Sequence, residues 1–308
     1  MTILYNPSEN DRAMKLTIAT CQFPTGNDIA GNLRYVLRQM RHAKEAGAHV
    51  AHFAETCLSG YAGLEVKSSR DYDWSAIDAA MQRVADESRT LGLWAIVGSA
   101  HRLTGIHKPH NSLYIINGRG KLIDRYDKMF CTGSDLQQYS PGSHMPVFTI
   151  RGVRCGVQIC HDMRYQELYR EYKRKNIELM FHSYYNGRMS KTRVKQQREY
   201  IGHISLNGSD NIWGVIVPPT MQTYAANNYF YISANNTSTG SAWPSFFVRP
   251  DGVITGKLRR SVAGVLVSKI DTSVKFYDAS TFRNTAMKGT LHSGKLVRDR
   301  RTNARTTL

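Results

Sequence analysis

The stretch RCGVQICHDMRYQELYREYKRK, residues 154–175, decides how this chain is read. Val157 and Ile159 form a short apolar run that stops at Cys160, and the chain turns polar at once with His161, Asp162 and Arg164. A buried strand gives way there to a charged helix, YQELYREYKRK. Taken alone, Cys160 reads as a small hydrophobe closing a core strand, because free cysteine is among the most buried residue types. Two other segments end in the same manner. HVAHFAE (49–55) places Glu55 after a mostly apolar run, and IDRYDK ends on Lys128 just before the apolar Met129 and Phe130. Each reads by itself as a surface charge at a strand end. Three such placements in one sheet would converge on one cleft, since ligand sites favour strand ends in α/β folds.

The chemistry of such a cleft is coherent. A thiol is mostly neutral at pH 7 and needs a base to become a good nucleophile. Glu55 serves as that base if burial raises its pKa toward neutrality. Lys128 is placed to stabilise the oxyanion formed when a thiolate attacks a carbonyl carbon, or the anion formed from a nitrile. The backbone N–H of His161 assists if the chain turns into a helix there. No histidine is placed as in a Cys–His protease.

Strands and helices alternate around these residues. KLTIATCQF (15–23) reads as a buried strand. Asp28 is a candidate helix cap, and Ile29, Leu33, Val36, Met40 and Ala43 lie on one helical face that Gly47 stops. Residues 74–92 repeat the pattern, with Ile77, Met81, Val84 and Leu91 on one face, and 93–100 read as a third strand. Residues 110–128 read as a hairpin turning at Asn117–Gly118. PVFTI and RCGVQIC follow as strands, then the helix after Cys160, then a strand over 177–185. Residues 190–209 and 219–228 are predicted helical, 229–235 a strand, and 241–255 a hairpin turning at Asp251–Gly252. The last 30 or so residues are polar, basic and weakly patterned. No repeat or linker divides the chain, so one layered α/β domain is expected.

The 308 residues include 17 Tyr, 10 Phe and 4 Trp, ample for a large core. No apolar run approaches the roughly 20 residues a membrane helix needs. MTILYNPSEN has neither the basic nor the apolar region of a signal peptide. The cysteines number five, and no pair has metal-ligand spacing, so a reduced, cytoplasmic protein is the reading. The net charge of +17 comes from 41 Lys and Arg against 24 Asp and Glu. It concentrates in residues 164–198 and 281–308. With no RNA-binding aromatic signature, zinc finger or helix-turn-helix pattern, the charge reads as solvated surface plus a basic tail rather than a nucleic-acid site. A field that attracts an anionic substrate is the intermediate reading.

HFAETCLSGY, RYDKMF and GVQICHDMRYQE, in this order and on these elements, resemble the carbon–nitrogen hydrolase, or nitrilase, superfamily, over about residues 15–255. The resemblance implies a four-layer α-β-β-α sandwich and a triad of Glu55, Lys128 and Cys160. It implies acyl transfer through a Cys160 thioester, with no metal and no organic cofactor. It further implies a homodimer or a higher homo-oligomer. On this reading residues 15–275 are the hydrolase domain, and residues 276–308 are a basic C-terminal tail that reaches across a partner subunit. Family members usually carry a second glutamate before a Pro-Gly. In GSDLQQYSPG that place falls on Gln137, with Asp135 the nearest carboxylate, so either residue could take the assisting role. Ala54 and Gln166 stand where proline is usual, and 186–217 is enlarged. Asp162 and Arg164 after the cysteine resemble the amidase and carbamoylase branches, so amide hydrolysis is expected ahead of nitrile hydrolysis. Acyl transfer to an amine is a further alternative on the same triad. A catalytically weak binding or regulatory member is the alternative that Gln137 suggests. Arg164 either binds a substrate carboxylate or pairs with Asp162 or Glu167 to orient its loop. Tyr61, Tyr184 and Tyr185 are expected to line the pocket or to pack in the core. Asn235 and Asn236 are expected to contact substrate or to form a turn.

Overall fold

The computed structural model describes residues 14–187, 189–240, 243–278, 280–303 and 305. Lys15–Gln22 (β1), the helix Ile29–Glu45 (α1), Val50–Phe53 (β2), Trp74–Leu91 (α2) and Trp94–His101 (β3) build the first half, with the hairpin His110–Ile116 (β4) and Leu122–Asp127 (β5). A short helix Asp135–Gln138 (α3) leads to Val147–Ile150 (β6) and Val153–Ile159 (β7). One 3₁₀ turn, Cys160–Arg164, opens onto Gln166–Arg174 (α4) and Leu179–Ser183 (β8). Lys191–Ile201 (α5), Ile204–Asn207 (α6) and Ile212–Asn228 (α7) precede Tyr231–Asn235 (β9), Phe246–Val248 (β10), Ile254–Lys257 (β11) and Gly264–Asp271 (β12). The short helices Arg283–Met287 (α8) and Arg300–Asn303 (α9) follow.

The strands form two six-stranded sheets, ordered β12-β1-β2-β3-β4-β5 and β11-β10-β9-β8-β7-β6. In each, three parallel strands sit beside antiparallel partners: β1, β2 and β3 in one, β7, β8 and β9 in the other. The sheets face each other across Ile18, Val50, Ile96, Leu113, Val157, Ile159 and Phe181, all buried. Helices α1 and α2 cover the outer face of the first sheet through Val36, Met40, Ala80 and Val84. Helices α4 and α7 cover the second through Tyr169, Tyr172, Val217 and Met221. The result is the four-layer α-β-β-α sandwich the sequence implies, because strands buried on both faces must be covered by helices outside and a second sheet inside.

Several elements depart from expectation. The triad positions do not end strands of one sheet: Glu55 and Lys128 follow β2 and β5 of the first sheet, and Cys160 follows β7 of the second. Strand period reports burial but not which sheet a strand joins. Asp28 stands at the N-cap of α1 without a capping hydrogen bond, its carboxylate 3.6 Å from Arg34. The helix expected over 190–209 breaks at Gly202, whose φ is +57°. The helix expected from Pro219 begins seven residues earlier, at Ile212, and runs through Pro218 and Pro219. Each proline removes a backbone bond at a cost of about 3 kcal/mol. Burial of Gly214, Val217, Met221 and Ala225 along one side of the helix offsets that cost. In the hairpin expected over 241–255, Ser241 and Ala242 lie outside the described residues. Among the described residues no helix is long and apolar enough to cross a membrane.

Candidate active site

Glu55, Lys128 and Cys160 meet because both sheets present the same ends to one cleft. Sharp backbone turns aim the side chains. Cys160 itself has φ +47°, and Thr56, directly after Glu55, has φ +48°. A non-glycine residue in this left-handed region costs about 1–2 kcal/mol, more for a β-branched threonine, and such strain is held only where surroundings fix it. The turn after Glu55 is held by Leu58 N–H donating to the Gly98 carbonyl at 3.0 Å and Gly60 N–H donating to the Thr56 carbonyl at 2.9 Å. It also needs glycine at position 98, where a Cβ would lie 2.2 Å from the Ala54 oxygen and 2.5 Å from the Thr56 nitrogen. Lys128 is clamped through its backbone, with Gly142 N–H donating to its carbonyl at 2.9 Å and its own N–H donating to the Asn111 carbonyl at 2.8 Å.

The Lys128 ammonium is fully buried between two carboxylates. It donates to Glu55 Oε1 at 2.9 Å and to Asp135 Oδ2 at 2.8 Å. Asn111 Nδ2 also donates to Glu55 Oε1, at 2.7 Å, leaving Glu55 Oε2 buried without a hydrogen-bond partner. Tyr61 Oη donates to Asp135 Oδ1 at 2.5 Å, and the Thr132 N–H donates to Asp135 Oδ2 at 2.9 Å. Asp135 on α3 is therefore the second carboxylate at the lysine. Gln137, on the solvent side of the same helix, is exposed at the cavity rim. The two positions differ by half a helical turn, which is why sequence counting alone left them open.

The electrostatics follow from burial against charge. Burial pushes the Glu55 carboxyl above its ordinary value of 4.5, more than Lys128 pulls it down. Burial would raise Asp135 as well, but the charge of Lys128 and the bonds from Lys128 and Tyr61 hold it below its ordinary 3.8. Burial works against the Lys128 ammonium too, yet its anionic neighbours, Glu55 first, keep it charged. Burial and the Glu55 charge push the Cys160 thiol up, and Lys128 only partly offsets them. The thiol therefore rests neutral beside a carboxylate of raised basicity.

A cavity of about 660 Å³ opens over these groups, lined by Lys128, Asp135, Cys160, His161, Tyr61, Tyr184, Tyr185 and Trp213, with Arg164 and Arg193 among its further walls. The three tyrosines both line the cavity and pack. Tyr184 Oη donates to the Pro244 carbonyl at 3.2 Å, and Tyr185 Oη to Glu65. Arg164 is exposed and pairs with neither candidate among the described residues. Asp162 is occupied, its Oδ2 accepting from Ile159 N–H at 3.0 Å and Tyr126 Oη at 2.7 Å, its Oδ1 from Phe130 N–H at 2.8 Å. Asp162 thereby ties the cysteine turn to the lysine loop across the two sheets, and burial pushes its carboxyl up to about 6. Asn235 is not on the cavity wall. Its Nδ2 donates to the Cys21 carbonyl at 3.0 Å and to that of His52, joining the sheets. Asn236 likewise serves structure, donating to the Trp243 carbonyl at 2.7 Å. Sequence reasoning missed Asn111 and Arg193. Asn111 was legible only as a polar residue opening an apolar strand, and Arg193 lies on a helix whose approach to the cleft no local pattern records.

Two facing sheets with a buried carboxylate–lysine–carboxylate cluster beside a cysteine at a strained strand end define a class of thiol-bearing α-β-β-α sandwich proteins. The model of the carbon-nitrogen hydrolase family matches residues 17–277, and the chain belongs to that family. A hydrolase of Mycobacterium tuberculosis is 30% identical over 176 residues, covering 54% of this chain and 59% of that protein. The omega-amidase of Xenopus tropicalis is 23% identical over 175 residues, covering 54% of this chain and 62% of that protein. These matches thus span somewhat under two thirds of the curated relatives. In fold, the crystal structure of an amidase from Nesterenkonia sp. superposes with a TM-score of 0.69 at 19% identity, covering 84% of this chain and 92% of that one.

Proposed function

We propose that this protein hydrolyses a linear amide through a thioester on Cys160. The observation that carries the reading is the buried Lys128 ammonium, 2.9 Å from Glu55 and 2.8 Å from Asp135, on the floor of the cavity that Cys160 enters. Glu55 takes the thiol proton as Sγ attacks the carbonyl carbon. Lys128 and the His161 N–H stabilise the oxyanion. Glu55 returns the proton to the departing ammonia or amine, then activates the water that releases the acid. Asp135 keeps Lys128 charged and fixed, the role open between it and Gln137. The names of the relatives, an omega-amidase and a deaminated glutathione amidase among them, favour amides over nitriles.

The substrate carries an anionic group away from its amide. Arg164 and Arg193 lie on the cavity wall, and neither guanidinium is ion-paired among the described residues, whereas Asp135 is committed to Lys128 and Glu65 bonds Tyr185. A homodimer, with residues 276–308 packed on the partner, is part of the same reading. It is supported by the exposed Tyr277, Leu291, Leu296 and Val297 of that tail.

The test is ammonia release from a panel of neutral amides, carboxylate-bearing amides, carbamoyl compounds and nitriles, with Cys160→Ala beside the unaltered chain. Release that prefers carboxylate-bearing amides and vanishes in Cys160→Ala supports the reading. Equal release by both chains, or a nitrile as best substrate, overturns it.

A further inference from the structure

Beside the active cavity lies a second one of about 570 Å³, within the range of small-molecule sites. Its walls include Arg70, Arg102, His107 and Lys108, together with Trp74, and no aspartate or glutamate. The acids nearest in sequence, Asp71 and Asp73, lie outside these walls, and Asp73 caps α2 by accepting from Ala76 N–H at 2.9 Å. Neither the Arg70 nor the Arg102 guanidinium is ion-paired among the described residues. The Arg102 guanidinium sits over the Trp74 ring at 6.0 Å, so a flat apolar surface borders the charged one. Like charges gathered without counter-charge repel one another and raise the local concentration of anions. Arginine forks fit phosphate oxygens in pairs.

We propose that this cleft binds a phosphorylated small molecule, its phosphates on Arg70, Arg102 and Lys108 and its apolar or planar body against Trp74. The site adjoins the catalytic cluster through α3. Lys108 Nζ donates to the Leu136 carbonyl at 2.7 Å, Ser69 N–H donates to Gln138 Oε1 at 2.9 Å, and Gln137 lines both cavities. The residue before Leu136 is Asp135, which holds Lys128. A cleft of this volume, open to solvent, suits a small ligand, whereas a polymer would spread along the basic residues of 164–198 and the tail.

Calorimetric titration of the full chain with ATP, pyrophosphate and citrate tests the proposal without reference to amide turnover. Saturable one-to-one binding of ATP and pyrophosphate is expected, stronger than that of citrate and weaker as salt rises. Arg70→Ala with Arg102→Ala weakens it by about tenfold or more, Lys108→Gln gives a smaller loss in the same direction, and Trp74→Ala weakens ATP more than pyrophosphate. Arg193→Ala, on the active-site wall, leaves ATP binding unchanged. The proposal is overturned by absence of saturable binding, by citrate binding as well as pyrophosphate, by loss on Arg193→Ala but not on the Arg70 and Arg102 changes, or by a single-stranded oligonucleotide binding more tightly than ATP.

Discussion

At the scale of single residues, the centre of the molecule is one cation shared by two carboxylates, and their roles separate by environment. Glu55 is the less stabilised, with one oxygen unpartnered and its carboxyl raised by burial; Asp135 is saturated by Lys128, Tyr61 and Thr132. A general base works only when deprotonated. The acid limb of kcat/KM is therefore expected to lie above pH 4.5, the ordinary value for Glu55, with activity falling as pH drops through the raised pKa. A pH–rate profile checks this, and an acid limb at or below that pH would remove Glu55 from the base role. Asp135→Asn keeps the shape but removes a counter-charge from a buried ammonium. It is expected to cost about 1–3 kcal/mol in stability, read by chemical denaturation, and to lower kcat/KM by about tenfold or more. Gln137→Ala, at the exposed rim, is expected to change stability by less than about 0.5 kcal/mol.

At the scale of elements, the strand ends carry the site because tight backbone approach holds them in strained conformations. Gly98 on β3 has no room for a methyl group beside Ala54 and Thr56, so Gly98→Ala is expected to displace the Glu55 turn, costing about 1–3 kcal/mol and most of the activity together. A melt beside an activity assay reads both. Helix α7 offers the converse. Pro219 is exposed within its interior, and Pro219→Ala is expected to raise stability by about 2 kcal/mol, the restored helix propensity less the entropy gained by the unfolded chain. The elements legible in the sequence were those with strong period. The apolar steps of α1 and the unbroken run of β7 identify themselves. Strand β12 did not, because it lies at a sheet edge where only Ser268 and Ile270 of eight residues are buried, leaving little alternation to see. Helix α3 is one turn long, too short for any period, yet it carries Asp135. Pro218–Pro219 reads locally as a helix start, and the burial that carries α7 past it is a tertiary effect.

At the scale of the whole molecule, two similar half-sandwiches meet face to face, and the site exists only where they join. The carboxylate and lysine come from one sheet, the cysteine from the other, and Asp162 links them through Tyr126 and the N–H groups of Phe130 and Ile159. Motif residues at strand ends were readable along the chain. Their division between two sheets was not, since it depends on strand pairing at long range. The tail is anchored on the second sheet's helical layer, where Arg283 donates to the Asn227 carbonyl at 2.6 Å and the Ala226 carbonyl at 3.0 Å, and it leaves large apolar side chains exposed. If those side chains meet a second copy, removal of residues 276–308 shifts the chain from dimer to monomer in sedimentation velocity. An unchanged sedimentation coefficient per mass would contradict that arrangement.

The central claim is that Cys160 becomes acylated. Of the five free cysteines, Cys21, Cys57 and Cys155 are buried, and only Cys131 and Cys160 reach solvent in part. The decisive measurement is mass spectrometry of peptides from chain acid-quenched during turnover of the best amide. An acyl mass on the Cys160 peptide, labile to hydroxylamine and absent from Cys131, is the predicted result. Turnover that continues with Cys160 unmodified, or with the adduct on another residue, would contradict the account.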